Sequence, residues 1–151
     1  MLNRFCKLVG QGVVLTLAMS AGVASADVRI SDGWLRAVPP VSPTMAGYLT
    51  VTNEGDTSVT ITGVRSEIAG NAMLHSMKTL EDGTRKMGHL HHIMLSPGES
   101  FSLMPGGNHL MLMNLQRVPQ PGESVTVCLT QAEEAAVCTD LPVLREAPAD
   151  A

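Results

Sequence analysis

Aromatic side chains are scarce, with one Trp, one Tyr and two Phe among 151 residues. A core must therefore come from Val, Leu, Ile, Ala and Met. Basic residues are few as well: ten Lys and Arg stand against fourteen Asp and Glu. A nucleic-acid surface needs the opposite balance, so that class is excluded. No segment keeps a helical period of apolar residues. There is no His-Glu-x-x-His, no Gly-x-Ser-x-Gly and no evident acid/base pair, which argues against a zinc hydrolase or another enzyme. The three cysteines include no Cys-x-x-Cys arrangement, which argues against a redox-active pair.

Long apolar runs are missing except near the start. Arg4 and Lys7 precede an uncharged, mostly apolar stretch from Leu8 to Ala21, and Ala24-Ser25-Ala26 has the form of a cleavage site. Residues 1–26 therefore read as a secretory signal peptide. The run falls short of the ~20 residues that span a bilayer, and no later stretch is long enough to do so. Cys6 lies ahead of the apolar stretch, not at the cleavage site, so it is expected to leave with the signal. Without Arg4 and Lys7, eight basic residues remain against fourteen acidic ones. The expected product is an acidic, exported protein, with one domain over 27–144 and a polar, Pro- and Ala-rich tail over 145–151.

Short runs of β-formers fill the exported part, separated by Gly, Pro, Asn and Asp. They predict strands at 28–34, 46–52, 58–64, 72–79, 84–89, 93–95, 100–104, 108–115, 124–130 and 136–143. In the third, Val59, Ile61 and Gly63 are expected on one face, with Thr60 and Thr62 on the other. Glu81-Asp82-Gly83 is a hairpin turn, because Asp-Gly supplies positive φ. Such spacing implies an all-β sandwich of about eight or nine short strands. The last hairpin centres near Glu133, which would set Cys128 opposite Cys138. In an exported protein a disulfide is the expected outcome, with two buried free thiols as the alternative.

What the chain does have is methionine and histidine, close together. Of ten methionines, Met73, Met77, Met87, Met94, Met104, Met111 and Met113 fall in one stretch, as do His75, His89, His91, His92 and His109. In a strand, His109 and Met111 would point the same way. An imidazole and a thioether together suit Cu(I), because thioether sulfur selects that ion over Zn, Mg or Ca. Thioethers also do not form disulfides, so Met serves where Cys would pair. Taken singly, each of these residues is more often core packing or a structural histidine. Met113 is expected in the core, or near the site without binding.

The order of residues adds specificity. Ten residues separate His75-Ser76 from Met87, twenty-one separate Met87 from His109, and one separates His109 from Met111. This pattern resembles the signature of the PCuAC periplasmic copper chaperones. The Pro105-Gly106-Gly107 turn, the Trp34-Leu35-Arg36 stretch followed by prolines, and Tyr48-Leu49-Thr50 also look like that family. The resemblance implies a cupredoxin-like β-sandwich that is periplasmic and not an enzyme. It would bind Cu(I) through His75, Met87, His109 and Met111 and support assembly of the copper centre of cytochrome c oxidase, with Sco-type thiol proteins as co-workers. Ser76 departs from the family, where many members carry Met. Met77 offers itself on the same strand as an auxiliary ligand. His89, His91 and His92 are outside the signature. They read as a solvated loop, or as a second site for Cu(II), which accepts imidazoles readily.

Three other readings compete. Copper buffering or resistance uses the same ligands as delivery. An electron-transfer cupredoxin needs a Cys thiolate with a His following it, and no His follows Cys128 or Cys138. A β-sandwich interaction module would leave the Met and His without a metal.

Overall fold

The computed structural model describes residues 27–149. The expected signal peptide and Cys6 lie outside these residues. Ten strands, with no helix among the described residues, run in the order β1 (Val28–Arg36), β2 (Thr44–Asn53), β3 (Val59–Arg65), β4 (Ala69–Thr79), β5 (Arg85–His89), β6 (Ile93–Leu95), β7 (Ser100–Leu103), β8 (His109–Leu115), β9 (Ser124–Gln131) and β10 (Val137–Leu144). All ten predicted runs form strands, more than the eight or nine expected of the sandwich, since the short β6 and β7 also pair, β6 with β3 and β7 with β2.

One sheet runs β5-β4-β8-β2-β1, and the other runs β10-β9-β3-β6. They join where β1 pairs in parallel with β10. The remaining ladders are antiparallel, so alternate residues of each strand face the space between the sheets. Leu35, Leu49, Val51, Ile61, Leu74, Leu95, Leu110, Leu112, Val127 and Val143 fill that space. Burying a Leu, Ile or Val side chain contributes roughly 1.5–3 kcal/mol, so an aliphatic core replaces the missing aromatics. The exceptions are Trp34 and Tyr48, which are cross-strand partners with ring centroids 4.8 Å apart.

One sequence expectation is corrected. Gly63 does not continue the inward face of β3. The register against β9 shifts between Ile61 and Gly63, and Val64 is the buried residue instead. The extra residue reverses the alternation. Asn53, the last residue of β2, anchors the connection to β3. Asn53 is fully buried. Its side-chain amide donates to the Thr57 and Leu95 carbonyls at 2.7 and 3.1 Å and accepts from the Gly55 N–H at 3.0 Å. A buried amide with these partners pins the β2–β3 connection to β6.

The last hairpin has the register expected of it. Cys138 is the cross-strand partner of Cys128, the Cα atoms are 3.9 Å apart, and the sulfurs are bonded.

Candidate metal centre

The candidate ligands lie on three adjacent strands. Leu74 of β4 and Leu110 and Leu112 of β8 are at most 1% exposed and point into the core. Strand alternation then turns Met73, His75 and Met77 of β4, and His109, Met111 and Met113 of β8, to the outer face. Cross-strand register aligns them: His75 lies opposite His109 and Met73 opposite Met111. On its other side β4 pairs with β5, where His89 lies opposite His75 and Met87 opposite Met77. His75 is therefore the hub. It has an imidazole directly across from it on each side. Met87 and Met111 are its diagonal neighbours, one on each side. Such neighbours are roughly 7–8 Å apart, within reach of long side chains.

The β4–β8 ladder ends at His75 and His109, whereas β4 and β5 continue as a pair to Thr79 and Arg85. The site thus lies where the β4–β5 hairpin runs past the start of β8. The loop entering β8 fixes His109. Gly106 has φ of 78°, a left-handed conformation that glycine tolerates, and the Gly107 N–H donates to the Met104 carbonyl at 3.0 Å. Asn108 accepts the Met77 N–H on its side-chain oxygen at 3.2 Å, tying this loop to β4.

The two central imidazoles meet edge to face, with centroids 5.4 Å apart. His109 Nδ1 lies 3.0 Å from the Gly107 carbonyl oxygen. A carbonyl only accepts, so Nδ1 carries the proton, and Nε2 is left with its lone pair for a metal. His75 shows the complementary feature: its Nδ1 is buried without a hydrogen-bond partner. An unpaired buried polar atom is costly, and a bound cation would satisfy it. Desolvation, then the neighbouring His109 and His89, hold the His75 imidazole below its ordinary pKa and favour the neutral form that metals bind.

Burial grades across the group. His109 is 9% exposed and Met87 is 52% exposed. The thioether at the β5 edge is open to solvent while the imidazole at the start of β8 is covered. His89 and His91 pack ring against ring at 4.2 Å. No third His, Cys, Asp or Glu joins them, or any other pair, in a cluster able to hold a metal among the described residues. Around the His75–His109 pair, thioethers are therefore the further side-chain donors at hand. His92 is exposed and stands outside the ring pair.

The structure adds Met73, which the sequence reading did not single out. Its signal was its position two residues before His75. Of the two places expected for Met113, the core is ruled out: it is half-buried on the outer face, opposite Asn71 and Thr44. The surface depression of about 400 Å³ between Thr57–Thr60 and Gln131–Glu134 contains no His, Met or Cys and is remote from these strands. A depression of about 260 Å³ does adjoin the candidate ligands, lined by Met87 and His89 with Ser76, Lys78 and Leu80.

Residues 28–143 match the family described as "LpqE-like: Putative lipoprotein LpqE-like". A relative in Leifsonia xyli subsp. xyli (strain CTCB07), "Putative lipoprotein Lxx21020", is 25% identical over 126 residues, spanning 83% of this chain and 75% of that protein. Among solved structures, the chain is similar to the copper-bound PCuAC domain from PmoF2, with a TM-score of 0.64 and 22% identity over 81% of this chain and 97% of that one. It is also similar to the Cu(I) form of DR1885 from Deinococcus radiodurans, with a TM-score of 0.59 and 28% identity over 85% of each chain. The β-sandwich is thus the fold of PCuAC domains, and the chain belongs to the LpqE-like family.

Proposed function

We propose that this protein is an exported copper chaperone that carries Cu(I) on the outer face of β4, β5 and β8. His75, Met87, His109 and Met111 are its ligands, and Met77 and Met73 are auxiliary sulfurs beside them. The observation that carries this reading is the central pair: a buried His75 nitrogen with no partner, facing a His109 whose Nε2 is freed by the Gly107 carbonyl. The copper-bound relatives support the choice of metal. The protein works by binding, not by catalysis.

The donor set suits transfer. Two thioethers and two neutral imidazoles leave the charge of the ion uncompensated, unlike a cage of thiolates. An exposed Met87 is the ligand an incoming acceptor would meet first. The signal peptide and the disulfide fit a periplasmic location, where disulfides persist. Within that compartment we assign delivery to the copper centre of cytochrome c oxidase, alongside Sco-type thiol proteins.

Competition for Cu(I) against a chelator of known affinity tests the site. Replacing His109 and Met111 together by Ala is expected to weaken binding by a hundredfold or more, and unchanged affinity would sink the assignment. A deletion strain then separates roles. Oxidase activity lost at low copper supports delivery, whereas copper sensitivity with intact oxidase points to buffering.

A further inference from the structure

His89 and His91 take no part in the four-ligand set, yet they are built as a pair. Leu90, between them, packs against the core, and its N–H donates to the Leu74 carbonyl at 2.8 Å. That bond extends the β5 ladder one residue past His89 and fixes the backbone. With Leu90 turned inward, alternation turns His89 and His91 outward together. Their rings lie 4.2 Å apart at 51°, and both residues are exposed.

We propose that His89 and His91 form a second, solvent-facing metal site that takes one Cu(II) ion. It stands beside the Cu(I) site and rests on the copper reading of that face. Imidazole nitrogen and water oxygen are ligands that Cu(II) accepts in tetragonal geometry, whereas the thioethers of the neighbouring site favour Cu(I). Two imidazoles supply two positions, and solvent has access to the rest. With no third His, Cys, Asp or Glu joining the pair among the described residues, the ion is held loosely and exchanges readily. His89 also lies opposite His75, so this outer site sits one strand from the hub of the inner one. The face thus sorts copper by oxidation state: imidazole and water at the exposed edge, imidazole and thioether further in.

The test uses the purified protein loaded anaerobically with one equivalent of Cu(I), then titrated with Cu(II) and followed by electron paramagnetic resonance. The expected result is one Cu(II) equivalent with hyperfine structure from two nitrogens. His91→Ala is expected to weaken Cu(II) binding at least tenfold and remove one nitrogen while Cu(I) affinity is kept. His92→Ala is expected to match the unaltered protein. Cu(II) binding untouched by His91→Ala, no Cu(II) uptake at all, or an equal loss in His92→Ala would each overturn the proposal. Absence of Cu(I) binding would instead count against the carrier reading, and the Cu(II) titration can be read without it.

Discussion

The His75 imidazole sits between two others, His109 and His89, with its Nδ1 buried and unpaired. Each of these features disfavours the imidazolium. The unfolded chain would titrate this group near its ordinary value of 6.5, and the folded chain titrates it lower. Between the two values the unfolded state binds more protons, so stability rises with pH across that window and falls as the medium is acidified through it. Denaturant unfolding of the metal-free protein at pH 5, 6 and 7 is expected to show that slope, and His75→Gln is expected to reduce it. An equal slope in the variant would place the acid sensitivity elsewhere. The same residue explains why sequence alone left the ligands open. A lone His on a strand is usually structural, and only its unpaired nitrogen and its neighbours distinguish it.

At the scale of the element, β8 does two jobs through alternation. Leu110 and Leu112 anchor it in the core, and His109 and Met111 face out. Its approach to β2 depends on Gly47, the cross-strand partner of Leu110. A Cβ at position 47 would lie 2.5 Å from Leu35 Cδ2 and 2.7 Å from Leu110 Cδ1, closer than packed carbons sit. Gly47→Ala is therefore expected to lower stability by about 1–3 kcal/mol, the range for overpacked cores. Because Leu110 lies between the two outward ligands, the variant is also expected to bind Cu(I) more weakly. Unfolding midpoints and chelator competition check the two effects, and full stability in the variant would show that β8 and β2 have slack.

At the scale of the molecule, two sheets share an aliphatic core, and only one of them carries the soft ligands. The other holds the Cys128–Cys138 bond across the β9–β10 hairpin. Closing so short a loop constrains the unfolded chain by about 2–3 kcal/mol on the chain-entropy account. Replacing both cysteines by Ala is expected to lower the unfolding free energy by that amount. Cu(I) affinity measured below the melting range is expected to hold, because neither sulfur reaches the ligand face. A large loss of Cu(I) binding in the folded double variant would mean that the two sheets are coupled.

Much of this was legible from residue order. Strand positions followed from β-formers bounded by Gly, Pro and Asn, because those residues act locally on backbone angles. The Cys128–Cys138 pairing followed from the centre of one hairpin, which is again a local property. The spacing of His75, Met87, His109 and Met111 marked out a ligand set by resemblance. Other features depended on contacts between segments distant in sequence. The bulge that buries Val64 in place of Gly63 exists only against β9. Asn53 is buried because β6 closes over it. Met113 turned outward, and Met73 joined the face, because the register of β8 on β4 assigns both to the side away from the core. The sequence determined which atoms are available to a metal, since ligand chemistry belongs to the side chain. Tertiary structure alone decided which of those atoms are neighbours and which nitrogen is left without a partner, because both depend on how β8 and β5 dock on β4.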